Sequence, residues 1–288
     1  MRDDFAVFIT SYKKSNNIIT ITSLLNAGYT GDWYVIVEDN DPELEEYKKK
    51  IPKEKLLLYN KKEQSKYYDS CDNFHILNTN LNSLSVVFYF AKKLGYKYFY
   101  IAEDDFEGYY YKKRIKNKVL FKPLKNIDDI FEMSIDFMNC NDKINCLSFT
   151  SVQNTTIGNT DFFSNKFFNY LNYNGWLCDV NKYINFKGTI CNDTITFMNN
   201  YRQGNITYTL NYIKNVHKWY YDKKDKELDG SGNDEININY FTDILIYYLY
   251  NLMGDPSSYK IFTKNGKINQ MFIYKYMIPK IIDGRWKK

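Results

Sequence analysis

The sequence contains no uninterrupted apolar run approaching the roughly 18 residues that a membrane-spanning helix needs, so no membrane span is expected. Histidine is nearly absent, with His75 and His217 the only two. Five cysteines, Cys71, Cys140, Cys146, Cys178 and Cys191, form no C-x-x-C pair. Zinc is held by cysteine and histidine sets at short spacing, so a zinc site is not expected. An odd cysteine count fits reduced thiols that pack as small hydrophobes. No G-x-G-x-x-G follows the first apolar run and no G-K-S/T loop occurs. The dinucleotide-binding and P-loop versions of an α/β chain are therefore disfavoured. Met1-Arg2-Asp3-Asp4 leads straight into a β-rich run with no secretory leader visible, so a cytoplasmic location is expected.

What is present bounds the rest. A chain of 288 residues with 44% hydrophobic content can bury a sizeable core, and the absence of a clear linker or repeat makes one compact domain the default. The net charge of +5 permits a nucleotide or nucleic-acid partner without requiring one. Tyrosine (29) and phenylalanine (20) are abundant, as are asparagine and lysine, which AT-rich codons alone would produce, so aromatic richness by itself says little about base stacking.

Taken in order, Phe5 to Thr10 is a short buried strand ending at Ser11-Tyr12-Lys13-Lys14-Ser15. Apolar residues at Ile18, Ile19, Ile21, Leu24 and Leu25 predict a helix that stops at Gly28. Trp33 to Val37 is a second strand, terminating in Glu38-Asp39-Asn40-Asp41-Pro42. A helix with Glu43, Glu45 and Glu46 in its first turn follows, and Lys55 to Tyr59 is a third strand. This alternation of strand and helix argues for an α/β fold with a parallel sheet, in which ligands bind beyond the carboxyl ends of the strands. Lys61 to Glu63 and Cys71 to Phe74 suggest a polar loop, and Leu84 to Gly95 a helix.

The most informative stretch comes next. Lys97 to Ala102 is an apolar and aromatic strand that ends abruptly in Glu103-Asp104-Asp105. Side chains alternate along a strand, so Glu103 and Asp105 should turn to one side and Asp104 to the other. Three adjacent carboxylates repel unless a divalent cation sits among them, and oxygen ligands suit Mg²⁺ or Mn²⁺. A solvated acidic turn fits the same residues, but two further strand ends with polar chemistry, at Ser11 to Lys13 and Glu38-Asp39, favour the metal reading.

Beyond it, Gly108 to Arg114 predicts a basic, aromatic hairpin that fits either an ordinary exposed ribbon or a nucleic-acid contact. Ile127 to Met138 predicts an amphipathic helix and Cys146 to Thr150 a strand. Asn154 to Thr160 is a candidate lid. Phe186 to Asp193 leads into a helix from Thr194, with Asn192 or Asp193 placed as an N-cap would be. Tyr208 to Val216 is a strand, Lys223 to Glu235 a charged loop, Asn239 to Leu252 a helix and Ser257 to Phe262 a strand, before a basic tail.

Several of these segments, in this order, resemble the TET-associated glycosyltransferases, a GT-A-type group found largely in bacteriophages. Ile9 to Ser15 is similar to the family's first strand and S-Y-K-R segment, and Val37 to Pro42 to its next strand end. Asp72-Asn73-Phe74 is similar to a family loop, and Glu103-Asp104-Asp105 resembles its L-D-D-D-Y signature. Gly188 to Asp193 resembles a G-R-I-N-E-D segment, and Pro279 to Ile282 its C-terminal end. The departures are specific: Leu84-Ser85-Val86 stands where R-N-A is usual, only the last acid of G-R-I-N-E-D is kept, and Lys267-Ile268-Asn269-Gln270 replaces R-I-H-H.

The resemblance implies a GT-A-like (Rossmann-like), mostly parallel central sheet with flanking helices and an irregular C-terminal extension, in a single domain over 1–288. Residues 1–106 would bind a nucleotide sugar and residues 107–288 the acceptor. It implies sugar transfer from a nucleoside diphosphate, UDP-glucose being the first candidate, to a hydroxymethylpyrimidine in phage DNA. In that scheme Ser11, Tyr12, Lys13, Asp39, Glu103 and Asp104 contact the donor, and Asp105 with Glu103 holds Mn²⁺ or Mg²⁺. Asp193 is the general base, and Lys112, Lys113 and Arg114 contact DNA. The alternatives left open are a catalytically impaired module that binds nucleotide or DNA, and a glycosyltransferase acting on a saccharide or protein.

Overall fold

The computed structural model describes residues 1–67, 81–115, 118–150, 175–187, 196–197, 199–201, 203–218, 259–264 and 267–272. The first five elements follow the predicted alternation: β1 (Phe5–Thr10), α1 (Ile19–Asn26), β2 (Asp32–Glu38), α2 (Leu44–Lys50) and β3 (Leu56–Tyr59). Lys61 to Gln64, expected as loop, forms a short helix, α3. Its cap explains the difference: Asn60 accepts a hydrogen bond from the Glu63 amide at 3.0 Å. Then come α4 (Leu81–Leu94), β4 (Tyr98–Glu103), β5 (Phe106–Ile115), β6 (Lys118–Pro123), α5 (Ile127–Asn139), β7 (Ile144–Thr150), β8 (Trp176–Asp179) and β9 (Ile206–His217). A hairpin, β10 (Tyr259–Lys264) and β11 (Lys267–Phe272), forms a second small sheet.

Among the described residues the main sheet has nine strands in the order β3-β2-β1-β4-β8-β7-β9-β5-β6. The pairings β3-β2, β2-β1, β1-β4 and β7-β9 are parallel, and of these nine strands β5 and β8 run against the common direction. The α/β class and mainly parallel sheet predicted from the alternation are thus present.

The strand periodicity of two separates the sheet's faces. Ala6, Phe8, Tyr34, Ile36, Phe99 and Ile101 pack on Leu84, Val87, Phe88 and Ala91 of α4. Phe5, Val7, Ile9, Tyr98, Tyr100 and Ala102 face the other way, onto Leu24 of α1 and Ile127, Phe131, Ile135 and Met138 of α5. The α5 positions recur every three or four residues, so one stripe of the helix is apolar. Phe131 is fully buried with ring centroids 4.8 Å from Phe5 and 5.1 Å from Tyr100. Truncating such a residue to alanine costs about 3–5 kcal/mol.

β8 was not foreseen from sequence. It is only four residues long and wholly buried, so it shows no polar-apolar alternation. Gly175 starts it at a φ of +72°, and a Cβ there would collide with the Tyr100 hydroxyl. Only glycine meets both demands. Cys146 of β7 and Cys178 of β8 sit opposite each other, buried and not joined in a disulfide, as expected of small hydrophobes.

Candidate active site

The carboxyl ends of β2, β1 and β4 lie side by side at one edge of the sheet, which brings three sequence-predicted polar clusters together. Each is held by a different set of hydrogen bonds.

The turn after β1 is fixed from below by a relay. The Lys14 amide donates to the Tyr47 hydroxyl at 2.9 Å, the Tyr47 and Ser11 hydroxyls lie 2.7 Å apart, and Ser11 Oγ donates to Asp104 Oδ2 at 2.6 Å. With Ser11 donating to the carboxylate, Tyr47 is left to donate to Ser11, so every hydroxyl in the chain both gives and receives. Lys14 Nζ meets the other Asp104 oxygen at 3.3 Å. Burial pulls the Lys14 ammonium down, but Asp104 and Asp105 outweigh it, so its pKa ends above the ordinary lysine value. Asp104 is 4% exposed with both oxygens engaged, and burial raises its pKa against the pull of Lys14 and Ser11. It therefore joins β4 to the β1 turn.

Lys13 adopts a left-handed φ of 53°, a conformation uncommon outside glycine. It is held there because its amide donates to Asp41 Oδ2 at 2.9 Å, while Asp41 Oδ1 accepts from the Glu43 amide at 2.7 Å. Tyr12 is 41% exposed and flanked by two cations, Lys13 Nζ at 5.0 Å and Lys61 Nζ at 5.5 Å from its ring centroid. At the end of β2, buried Glu38 pairs with Lys61 at 3.3 Å, and exposed Asp39 accepts from Asn60 at 3.0 Å. The unforeseen α3 and its cap thus supply partners to both acids.

The acidic turn is clasped by Thr20 of α1, which is fully buried. Thr20 Oγ1 donates to the Glu103 carbonyl at 2.6 Å and accepts from the Phe106 amide at 2.8 Å, and its own amide donates to the Asp104 carbonyl at 3.3 Å. Glu103 and Asp105 then turn to one side and Asp104 to the other, as strand alternation demands.

The residue they turn toward is His217. β9 pairs antiparallel with β5 so that His217 stands opposite Phe106, with a bulge between Phe106 and Gly108 re-aiming the strand. The Lys218 amide donates to the Asp105 carbonyl at 2.9 Å, and the His217 ring packs edge-on against Phe106 at 4.6 Å. His217 Nδ1 lies 3.0 Å from Asp105 Oδ1 and 3.6 Å from Glu103 Oε2. Donor atoms of Glu103, Asp105 and His217 all fall within 4.8 Å of one another. Loss of solvation pushes the Glu103 carboxyl up to about 7, opposed by His217 and reinforced by Asp105 and Asp104. Its side chain is still 40% exposed, so the cluster opens to solvent. Burial lowers the His217 pKa, but Asp105 and Glu103 reverse that and leave it raised.

Two carboxylates and one imidazole, partly open to solvent, fit a hard or borderline divalent cation such as Mn²⁺ or Mg²⁺. The sequence offered one signal for the third donor: His217 directly follows a β-rich run. The histidine scarcity that argued against zinc hid the value of one histidine standing beside two acids.

Other predicted residues fall elsewhere. Lys112 and Lys113 lie on β5, opposite Phe121 and Leu120 of β6, and so on opposite faces of the sheet. Arg114 belongs to β5 by its backbone, and its side chain lies outside the described residues. Asp193, the Asn154 to Thr160 segment, Asp72 to Phe74, the Lys223 to Leu252 region and the C-terminal lysines also lie outside them. No helix among the described residues is long and apolar enough to cross a membrane.

A family model, that of TET-associated glycosyltransferase, matches residues 5–224, which takes in the segments of the resemblance from Ile9 to Asp193 and leaves out Pro279 to Ile282. The chain belongs to the TET-associated glycosyltransferase family. It is accordingly a glycosyltransferase, and the match takes in β1 to β9 and the cluster at the end of β4. None of the curated proteins matches the sequence. Among solved structures, glucosyl-3-phosphoglycerate synthase from Mycobacterium tuberculosis in complex with Mg²⁺ and UDP is similar at a TM-score of 0.47 and 7% identity, covering 94% of this chain and 87% of that one. The same enzyme with Mn²⁺ and UDP-glucose gives 0.48 and 7%, covering 94% and 86%. S. aureus TarS 1-349 with UDP-GlcNAc gives 0.39 and 13%, covering 84% and 66%. No residue role is carried across from these distant likenesses.

Proposed function

We propose that this TET-associated glycosyltransferase moves a sugar from a UDP-sugar, UDP-glucose being the first candidate, to the hydroxyl of a hydroxymethylated pyrimidine in DNA. The observation that carries the reading is the cluster of Glu103, Asp105 and His217 at the carboxyl edge of β4, beside the ordered turns of β1 and β2. Glu103, Asp105 and His217 would hold Mn²⁺ or Mg²⁺. A cation held there supplies positive charge to the oxygens of the leaving diphosphate.

This chain's own residues do the rest. Lys13 and Lys14 bring cations to the same edge, and the relay through Tyr47, Ser11 and Asp104 keeps their turn in place. Asp39 and Tyr12 stand at the ends of β2 and β1, where the base and ribose of the donor would be recognised; Glu103 adds a ribose contact. Asp104 acts by positioning, since Ser11 and Lys14 already occupy both its oxygens. Asp193 remains the proposed general base on the family resemblance, and its conversion to asparagine should cut transfer on the order of 10²-fold.

The test is a screen of UDP- and GDP-sugars with Mn²⁺ against modified and unmodified DNA, read by nucleoside mass spectrometry, with donor hydrolysis followed in parallel. A sugar-bearing pyrimidine supports the full reading. Donor hydrolysis with no DNA product moves the acceptor to a saccharide or protein. No hydrolysis of any donor overturns the reading and leaves a binding module.

A further inference from the structure

Asn60 and Lys61, where β3 passes into α3, reach the ends of both β1 and β2. Asn60 Nδ2 donates to Asp39 Oδ2 at 3.0 Å, and Asn60 Oδ1 accepts from the Glu63 amide at 3.0 Å. Lys61 Nζ lies 3.3 Å from Glu38 Oε2 and 5.5 Å from the Tyr12 ring centroid. The backbone ties the same corner, since the Asp39 amide donates to the Tyr59 carbonyl at 2.9 Å.

Stability accounts for Lys61, because Glu38 is buried and a buried carboxylate needs a counter-charge. It does not account for Asn60. The cap explains only the Oδ1 arm, and aspartate or serine caps a helix about as well as asparagine does. What asparagine adds is a donor on its second arm. That donor engages Asp39, an exposed acid whose solvation asks for no partner. The hydrogen bond occupies Oδ2 and leaves Oδ1 as an acceptor without a partner among the described residues. A carboxylate tied by one oxygen at the end of a sheet strand presents the other in a set direction. The rotamer freedom that an exposed aspartate loses on binding a ligand is here lost on folding.

We propose that Asn60 is a positioning residue for nucleotide binding, holding Asp39 so that Oδ1 meets an N–H or O–H of the donor nucleoside. An ionised carboxylate only accepts, so the group it meets must donate. The inference rests on the reading of Asp39 given above, because Asn60 acts through Asp39 and touches no substrate itself. Its effect is to order the carboxylate before the nucleotide arrives, which tightens binding without adding a contact.

The test is isothermal titration of UDP into the full chain with Mn²⁺ present, using Asn60→Ala, Asn60→Asp, Asp39→Ala and the double variant Asp39→Ala with Asn60→Ala, each with its melting temperature. Asn60→Ala should weaken UDP binding about threefold to tenfold, the range that one net hydrogen bond supplies. Asn60→Asp keeps the cap but cannot donate, and it sets a second negative charge beside Asp39. It should weaken UDP binding at least as much, at an unchanged melting temperature. A residue that only caps α3 gives the opposite result, with full UDP affinity in Asn60→Asp. In the Asp39→Ala background, Asn60→Ala should have no further effect, because its route to the ligand is gone. Full affinity in Asn60→Asp, or the same loss from Asn60→Ala with and without Asp39, overturns the proposal while leaving Asp39 in place. Unchanged UDP affinity in Asp39→Ala overturns the nucleotide reading of Asp39 and the proposal with it, so the two failures are read from different variants.

Discussion

His217 Nδ1 lies 3.0 Å from Asp105 Oδ1, although 112 positions separate the two residues in sequence. The long connection is closed by strand register, because β9 returns beside β5 with His217 opposite the residue that follows Asp105. The sheet ladder between β9 and β5 thus brings the imidazole and the acidic turn together.

Removing the imidazole tests this. His217→Ala leaves two carboxylates and should weaken Mn²⁺ binding on the order of tenfold or more, as loss of metal-site support does elsewhere. Free Mn²⁺ measured by electron paramagnetic resonance reads the effect without turnover. Equal Mn²⁺ affinity in the variant would remove His217 from the site.

Thr20 offers an isosteric test of positioning. Thr20→Val keeps the shape and deletes the hydroxyl that links the Glu103 carbonyl to the Phe106 amide. The buried Phe106 amide then lacks its acceptor, a cost of about 1–3 kcal/mol. Mn²⁺ affinity should drop in Thr20→Val and return in Thr20→Ser. A fall in stability with unchanged Mn²⁺ affinity would make the clasp purely structural.

Asp104 and Asp105 should separate into two phenotypes. Asp104→Ala strips both Ser11 and Lys14 of a buried partner, so chemical denaturation should show a stability loss of about 3 kcal/mol or more. Asp105→Ala removes one of three crowded acids and should abolish Mn²⁺-dependent donor hydrolysis while costing less stability. The reverse pattern would exchange their assigned roles.

Lys112 gives a pH signature. Burial and Lys214 hold its folded pKa at about 8, below the value of about 10.4 in an unfolded chain. Between these values the unfolded state binds more protons, so stability rises with pH through that window and is lost as pH falls back through 8. The groups that face Lys112 are Lys214 on β9 and Phe121 on β6, and neither carries a negative charge. Lys112→Met should flatten the rise, as read by denaturation midpoints at pH 7.5 to 10. An identical slope in the variant would refute the assignment.

Much of this arrangement was legible in the residues. The alternation from Phe5 to Tyr59 and the split of Glu103 and Asp105 from Asp104 follow from periodicities of 3.6 and two, which local sequence carries. β8 was hidden because four buried residues between strands have no periodicity to display. α3 was hidden because its existence depends on one asparagine cap. His217 was hidden for a different reason: its partners are fixed by the register of β9 on β5, which no local window encodes. Thr20 and Tyr47 look like ordinary helix residues until the turns they hold are in view.

β9 runs for 12 residues from Ile206 to His217, paired with β7 on one side and β5 on the other. The strand is therefore a tie-bar. Because side chains alternate along it, a slip of one residue against β5 would carry His217 to the other face of the sheet and away from Asp105. The distance between His217 and Asp105 is thus a readout of strand register as much as of the two side chains themselves.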